Sequence, residues 1–226
     1  MQTWPLYLNG ARVETTDLTD VLNPASGDVL ARMSNLPRSG IAQAIADAHA
    51  AFAGWRALTV RARAEFLFKT AAELEHRRDE VARVITTENG KPLAQSVAET
   101  NFAIDHLRWF AEEAKRSAGR TIPNWIEGKR HLVVQTPLGV VGAISPWNFP
   151  LMLAVRKVAP ALAAGCTVLL KPARQSPLCA VLFAECIHAA GLPRGVFQLV
   201  QGRAGDVGAE FLENPLVRKI TFTGST

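Results

Sequence analysis

Cysteine is scarce in this chain. Cys166, Cys179 and Cys186 are the three present. They are odd in number and lack C-x-x-C spacing, so neither a disulfide framework nor a cysteine zinc site is indicated. Cys179 and Cys186 stand seven apart on one face of a helical stretch, and all three read as small buried hydrophobes. Aromatic residues make up 7% of the sequence, with one tyrosine, and they form no stacking pattern. The five histidines show no H-E-x-x-H and no other paired metal spacing. Basic residues never run to five or more in a row, as a nucleic-acid tail would. The most apolar stretch, Leu151 to Leu170, is interrupted by Arg156, Lys157 and Pro160, which excludes a membrane span. Met1 to Pro5 has no basic region leading into an apolar one, so no signal peptide is expected. Together these absences fit a protein of the reducing cytoplasm that engages neither nucleic acid nor membrane.

What is present suits a large core. The 226 residues are 48% hydrophobic, enough for one large domain or two modest ones. Lys and Arg number 25 against 20 Asp and Glu, a net charge of +5. A charge of that size could serve an anionic ligand, but by itself it describes an ordinary soluble surface.

Residues 6–13, LYLNGARV, predict two short strands about an Asn9-Gly10 turn. Residues 23–27 form a turn cluster. From Ser39, a plausible N-cap, Ile41, Ala44, Ile45, Ala48, Ala51 and Phe52 mark one helical face. A second helix is expected from about Arg61 to Glu88, closed by Asn89-Gly90. A third is expected from about Pro92 to Ser117, and a short β run follows at 131–136. After Gly139 four apolar runs, 140–145, 167–171, 196–200 and 219–223, alternate with helical stretches at 151–164, 176–190 and 204–214. Continuous apolar strands separated by helices predict a doubly wound parallel α/β sheet covered on both faces. The expected division is therefore a hairpin-and-helix part over 1–118, a short β segment over 119–138, and the parallel unit over 139–226. No repeat or low-complexity linker separates them.

Ligands of such a sheet bind beyond the carboxyl ends of the strands. After the first strand comes Ser145-Pro146-Trp147-Asn148-Phe149-Pro150, stiffened by two prolines. Its Asn148 amide suits either a donor to an oxyanion or a cap on the next helix. After the second come Lys171 and Arg174, placed for an anion or ribose hydroxyls, or simply for solvent. After the third comes Gly202-x-x-Gly205-x-x-Gly208, a weak signal that departs from the dinucleotide fingerprint. After the fourth comes Gly224-Ser225, a turn that would offer free N–H groups to a phosphate if a helix followed.

Four motifs occur in order and register: Pro146-Trp147-Asn148-Phe149-Pro150, Pro160-Ala161-Leu162-Ala163-Ala164-Gly165-Cys166, Lys171-Pro172-Ala173 and Phe222-Thr223-Gly224-Ser225-Thr226. With them, and with Glu88-Asn89-Gly90-Lys91-Pro92, the chain resembles the NAD(P)-dependent aldehyde dehydrogenase superfamily throughout its length. The resemblance implies a Rossmann-like cofactor domain, here incomplete, that binds NAD or NADP. It implies that Asn148 donates to the oxyanion and that Lys171 bonds ribose hydroxyls. Gly224 and Ser225 would lie at the pyrophosphate. The implied cofactor contacts are Ser145, Pro146, Trp147, Lys171, Ala173, Arg174, Gly208, Gly224 and Ser225. Residues 119–138 would belong to the oligomerisation region, and the parent would be a homodimer or homotetramer acting on a small aldehyde.

The family's nucleophilic Cys and general-base Glu lie in segments beyond Thr226, so its catalytic domain is expected to be absent and the 226 residues alone inactive. Arg156 resembles the succinate-semialdehyde branch, which implies a contact to a substrate carboxylate; otherwise it is a structural or surface arginine. Arg174 stands where NAD-preferring members often carry Glu. The implied reaction is oxidation of an aldehyde, such as succinate semialdehyde, to the acid. A catalytically dead dinucleotide-binding fragment and a CoA-acylating semialdehyde dehydrogenase are the alternatives.

Overall fold

The computed structural model describes residues 2–224. The chain opens with β1 (Thr3–Trp4), β2 (Leu6–Leu8), β3 (Ala11–Val13), β4 (Leu18–Leu22) and β5 (Val29–Ser34). Asn9 and Gly10 both take positive φ, 49° and 76°, which is what a two-residue turn matched to strand twist requires. Helices α1 (Arg38–Ala57), α2 (Val60–His76), α3 (Arg78–Asn89) and α4 (Leu93–Ala114) follow, then β6 (Arg120–Ile122) and β7 (His131–Val133). The rest alternates: β8 (Val140–Ile144), α5 (Met152–Ala164), β9 (Thr167–Lys171), α6 (Leu178–Ala189), β10 (Phe197–Leu199), α7 (Ala204–Glu213) and β11 (Val217–Phe222).

Three expectations about the helices need correcting. The stretch read as one helix over 61–88 is two, broken at Arg77, whose backbone leaves the helix at φ −97°, ψ 12°. Its guanidinium bonds Glu80 and also Glu185 on α6, which holds the break. The first helix starts at Arg38 with Pro37 in the cap position, so Ser39 lies inside the first turn and caps nothing. The long helix ends at Ala114, because Lys115, Arg116 and Ser117 bond back three residues, not four, a tighter turn that ends the α-helical ladder.

The main sheet runs β11-β8-β9-β10-β2-β3. Its first four strands are mutually parallel, and the β2–β3 hairpin adds two antiparallel strands beyond β10. β8 and β9 are buried almost throughout, as strands covered on both faces must be. The steps β8 to β9 to β10 move one way across the sheet, so right-handed crossovers put α5 and α6 on one face. The step from β10 to β11 reverses direction, and α7 lies on the other face beside α1. At Gly142 of β8 a Cβ would stand 2.6 Å from the Phe211 ring of α7; a bare backbone lets that helix approach. α2 and α4 form a further layer over α5. β11 is the outer strand and stays half exposed.

β1, β5 and β4 form a separate sheet that the sequence reading did not anticipate, and β6 pairs with β7 as a two-stranded arm. Among the described residues no helix is long and apolar enough to cross a membrane. Because the chain steps from β8 through β9 to β10 on one side and returns to place β11 on the other side of β8, the strand order reverses at β8, and the crevice between the carboxyl ends of β8 and β11 is where this topology offers a ligand site.

Candidate functional site

The four loops that follow the parallel strands meet at that end. Ser145 N donates to Lys171 O at 3.1 Å and Thr223 N to Ile144 O at 3.2 Å. Ser176 Oγ donates to Trp147 O at 3.2 Å, and Gln201 Nε2 to Pro172 O at 3.4 Å. Ser225 and Thr226 lie outside the described residues; Gly224 sits in a bend just past β11.

Asn148 is exposed, and its Oδ1 accepts from Phe149 N at 3.1 Å. It does not cap α5. The first N–H groups there, of Leu151 and Met152, donate to Glu99 Oε1 of α4 at 3.0 and 3.2 Å. The Asn148 amide Nδ2 makes no hydrogen bond among the described residues, whereas its backbone is clamped. Asn89 Nδ2 donates to Trp147 O at 2.7 Å, and Lys91 Nζ to Asn148 O at 2.7 Å. Lys91 also pairs with the buried Glu99 and lies 4.3 Å from the Phe149 ring centre. Sequence reasoning missed these supports. The Glu88-to-Pro92 segment was visible as a motif, but nothing local shows that it faces a loop nearly sixty residues onward.

Glu88 caps α6 in the same manner, accepting from Leu178 N at 2.6 Å and Cys179 N at 2.9 Å. Burial pushes its carboxyl up to about 7, against the pull of those backbone N–H groups. A carboxyl raised in the folded state binds its proton more tightly there than in the unfolded chain. Its ionisation therefore lowers stability as pH rises from the ordinary carboxylate range through about 7. Denaturant unfolding of the chain and of Glu88→Gln at pH 5 and pH 8 should show the wild type losing about 3 kcal/mol relative to the variant over that interval. A difference that does not change with pH would refute the assignment.

Lys171 is 7% exposed, and burial lowers its pKa. Its ammonium donates to Pro172 O at 3.1 Å, leaving donors for the adjoining cavity. Asp17, Thr19, Asn35, Arg174, Gly202 and Arg203 line that cavity with it. Asp17, Thr19 and Asn35 were absent from the sequence reading, since their approach depends on the β1-β5-β4 sheet that it did not predict, and Arg203 lay in the loop read after the third strand but was not singled out there. Ser145 Oγ, at the end of β8, is buried and without a partner among the described residues. Pro146 and Ala173 are half-buried in the same loops, and Trp147 is 56% exposed beside the crevice. Gly208 lies within α7 with open space where a Cβ would stand, away from the Lys171 cavity.

Arg156 projects from α5, and its Nε donates to His106 Nε2 of α4 at 3.0 Å. The neighbouring Lys157 is buried, its pKa lowered chiefly by that burial, and it donates to Thr223 Oγ1. All three cysteines are buried. Burial raises the Cys179 thiol well above its ordinary value and Cys186 to about 12. A reactive thiolate needs access and a lowered pKa, so neither suits a nucleophile.

The sequence model of the aldehyde dehydrogenase family matches residues 12–226. A glutarate-semialdehyde dehydrogenase of Pseudomonas aeruginosa is 46% identical over 97% of this chain and 46% of its own length. A succinate-semialdehyde dehydrogenase [NADP(+)] of Escherichia coli is 48% identical over 92% of this chain and 43% of its own length. The crystal structure of a succinate-semialdehyde dehydrogenase from Burkholderia pseudomallei superposes with a TM-score of 0.96 at 41% identity, covering 98% of this chain and 46% of that one. The chain thus spans about half the length of the curated relatives it matches.

Proposed function

The chain belongs to the aldehyde dehydrogenase family, and from that premise we propose that it is the N-terminal, cofactor-binding part of an NAD(P)-dependent semialdehyde dehydrogenase. One observation carries the reading: a rigidly backed loop at the end of β8 presents an Asn148 amide nitrogen without a partner among the described residues, at the same sheet edge as Lys171 at the end of β9. The nicotinamide cofactor, when bound, accepts hydride from the aldehyde carbon. The residues present fit it. Lys171 has ammonium donors for ribose hydroxyls, Ser145 Oγ is buried without a partner, and Arg174 and Arg203 bring positive charge to the same cavity. Trp147 would line the crevice, and Gly224 with Ser225 would meet the pyrophosphate. Asn148 would donate to the oxyanion that forms when the aldehyde is attacked.

Since Cys179 and Cys186 do not suit a nucleophile and Cys166 is buried, none of the three cysteines is assigned as the nucleophile. The 226-residue polypeptide alone is then a dinucleotide-binding chain without turnover. The β6–β7 arm, with Ile122, Leu132 and Val134 exposed, supports assigning residues 119–138 to subunit association in a homodimer or homotetramer.

The substrate class rests on Arg156. Its exposed guanidinium suits a terminal carboxylate, a charge-assisted contact stronger than a neutral hydrogen bond. In the full-length enzyme Arg156→Leu should raise KM for succinate semialdehyde about tenfold more than KM for a neutral aldehyde of equal length. Equal losses on the two substrates would return Arg156 to a structural role and leave the substrate class unassigned.

A further inference from the structure

A guanidinium can hold a carboxylate in two ways. End-on, both terminal Nη groups donate; side-on, Nε–H and one Nη donate. In this structure the Nε–H of Arg156 is engaged by His106 Nε2 at 3.0 Å. Arginine has no acceptor, so His106 Nε2 must be the acceptor and carry no proton. The ring proton then sits on Nδ1, 2.6 Å from Phe102 O, one turn back on α4. The helix that carries His106 therefore selects its tautomer, as an outer hydrogen bond does for a metal-bound histidine. Phe102, Trp109 and Phe110 flank the ring on the same helix. Asp105 adjoins it there, and Lys157 adjoins Arg156 on α5; neither bonds to the pair among the described residues.

We propose that His106 is a positioning residue for Arg156: its neutral, Nδ1-protonated ring closes the side-on approach and presents the two Nη groups for an end-on, bidentate grip on a substrate carboxylate. This deepens the carboxylate reading of Arg156 and rests on it. Without the ring, the long side chain of Arg156 regains rotamers, and the carboxylate must order it on binding. The loss belongs in substrate binding, and only for substrates that carry the anion.

The test uses the full-length enzyme with His106→Phe, which keeps a ring but removes the acceptor, and His106→Gln, which restores an acceptor oxygen. For His106→Phe, KM for succinate semialdehyde should rise about fivefold more than KM for the neutral aldehyde of equal length, with the change in KM and not in kcat, as expected when the carboxylate must order a freed arginine side chain on binding. The Gln variant should recover most of it. Combined with Arg156→Leu, His106→Phe should add no further selectivity loss, because the two residues act through one contact. If Arg156→Leu is selective and His106→Phe is not, His106 does not position the arginine and the proposal falls. If Arg156→Leu is itself unselective, the carboxylate reading falls first. In the 226-residue chain, nitrogen-15 NMR of the ring should show the Nδ1–H tautomer. A ring that exchanges freely between tautomers overturns the proposal without reference to activity.

Discussion

Replacing Asn148 by Ala in the full-length enzyme is expected to lower kcat about a hundredfold to a thousandfold, the range for losing one preorganised oxyanion donor. The structure supplies the preorganisation. Trp147 O and Asn148 O are tied to Asn89 and Lys91, and Lys91 is itself anchored on buried Glu99. The loop's position is therefore set before substrate arrives, and the amide need not be ordered during the reaction. The side chain is exposed and caps no helix, so its removal should leave folding stability nearly intact and isolate the chemical step. KM should change little, because a donor aimed at a developing charge contributes mainly after that charge forms. Steady-state kinetics with a thermal melt of each variant makes the comparison. A kcat within about tenfold of wild type would mean that the donor lies elsewhere. A matching loss of stability would mean that Asn148 serves the loop and not the oxyanion.

The second large effect is on cofactor choice. The wild-type enzyme should accept NADP+ at least as well as NAD+, and Arg174→Glu should shift the NADP+/NAD+ ratio of kcat/KM toward NAD+ by about tenfold to a hundredfold, one charged contact to phosphate lost and a repulsion introduced. The two cofactors differ by a phosphate on the adenosine ribose. Arg174 can attract that phosphate but cannot accept from a free hydroxyl, whereas Glu does the reverse. Arg203 lines the same cavity, so Arg174→Glu leaves one arginine in place and should not abolish NADP+ use. The double change with Arg203→Glu should move the ratio further. Lys171, nearly buried at the end of β9, would meet ribose hydroxyls common to the two cofactors, so Lys171→Ala should weaken both and shift the ratio little. If the wild type strongly prefers NAD+ and Arg174→Glu leaves the ratio unchanged, position 174 does not read the phosphate.

The parallel half of the fold was legible because its information is local. β8, β9 and β10 lie in apolar runs and β11 in a β-branched one, all ended by turn chemistry, and each intervening segment is long enough for one crossover helix. Asn9-Gly10 announced its hairpin through a φ requirement that few residue pairs meet, and Gly90 ends α3 at φ 81° for the same reason. The residues after each strand could be named as site candidates because the carboxyl ends of parallel strands are one edge in any such sheet.

Long-range partners were not legible, and they decide how the site is held. No local pattern distinguishes Glu88 and Glu99 from other glutamates on polar helix faces. They become buried caps only when α3 and α4 fold across the starts of α6 and α5, which have no side-chain caps of their own. The break at Arg77 depends on Glu185, more than a hundred residues away, and helix periodicity continues through it unaltered. His106 looked like one more scattered histidine until α4 and α5 packed together and set its ring against Arg156. Strand, turn and motif follow from steric and hydrophobic rules acting over a few residues. A buried carboxylate or a fixed tautomer exists only where a second segment removes water and supplies the partner, and that is set by the packing of distant parts of the chain.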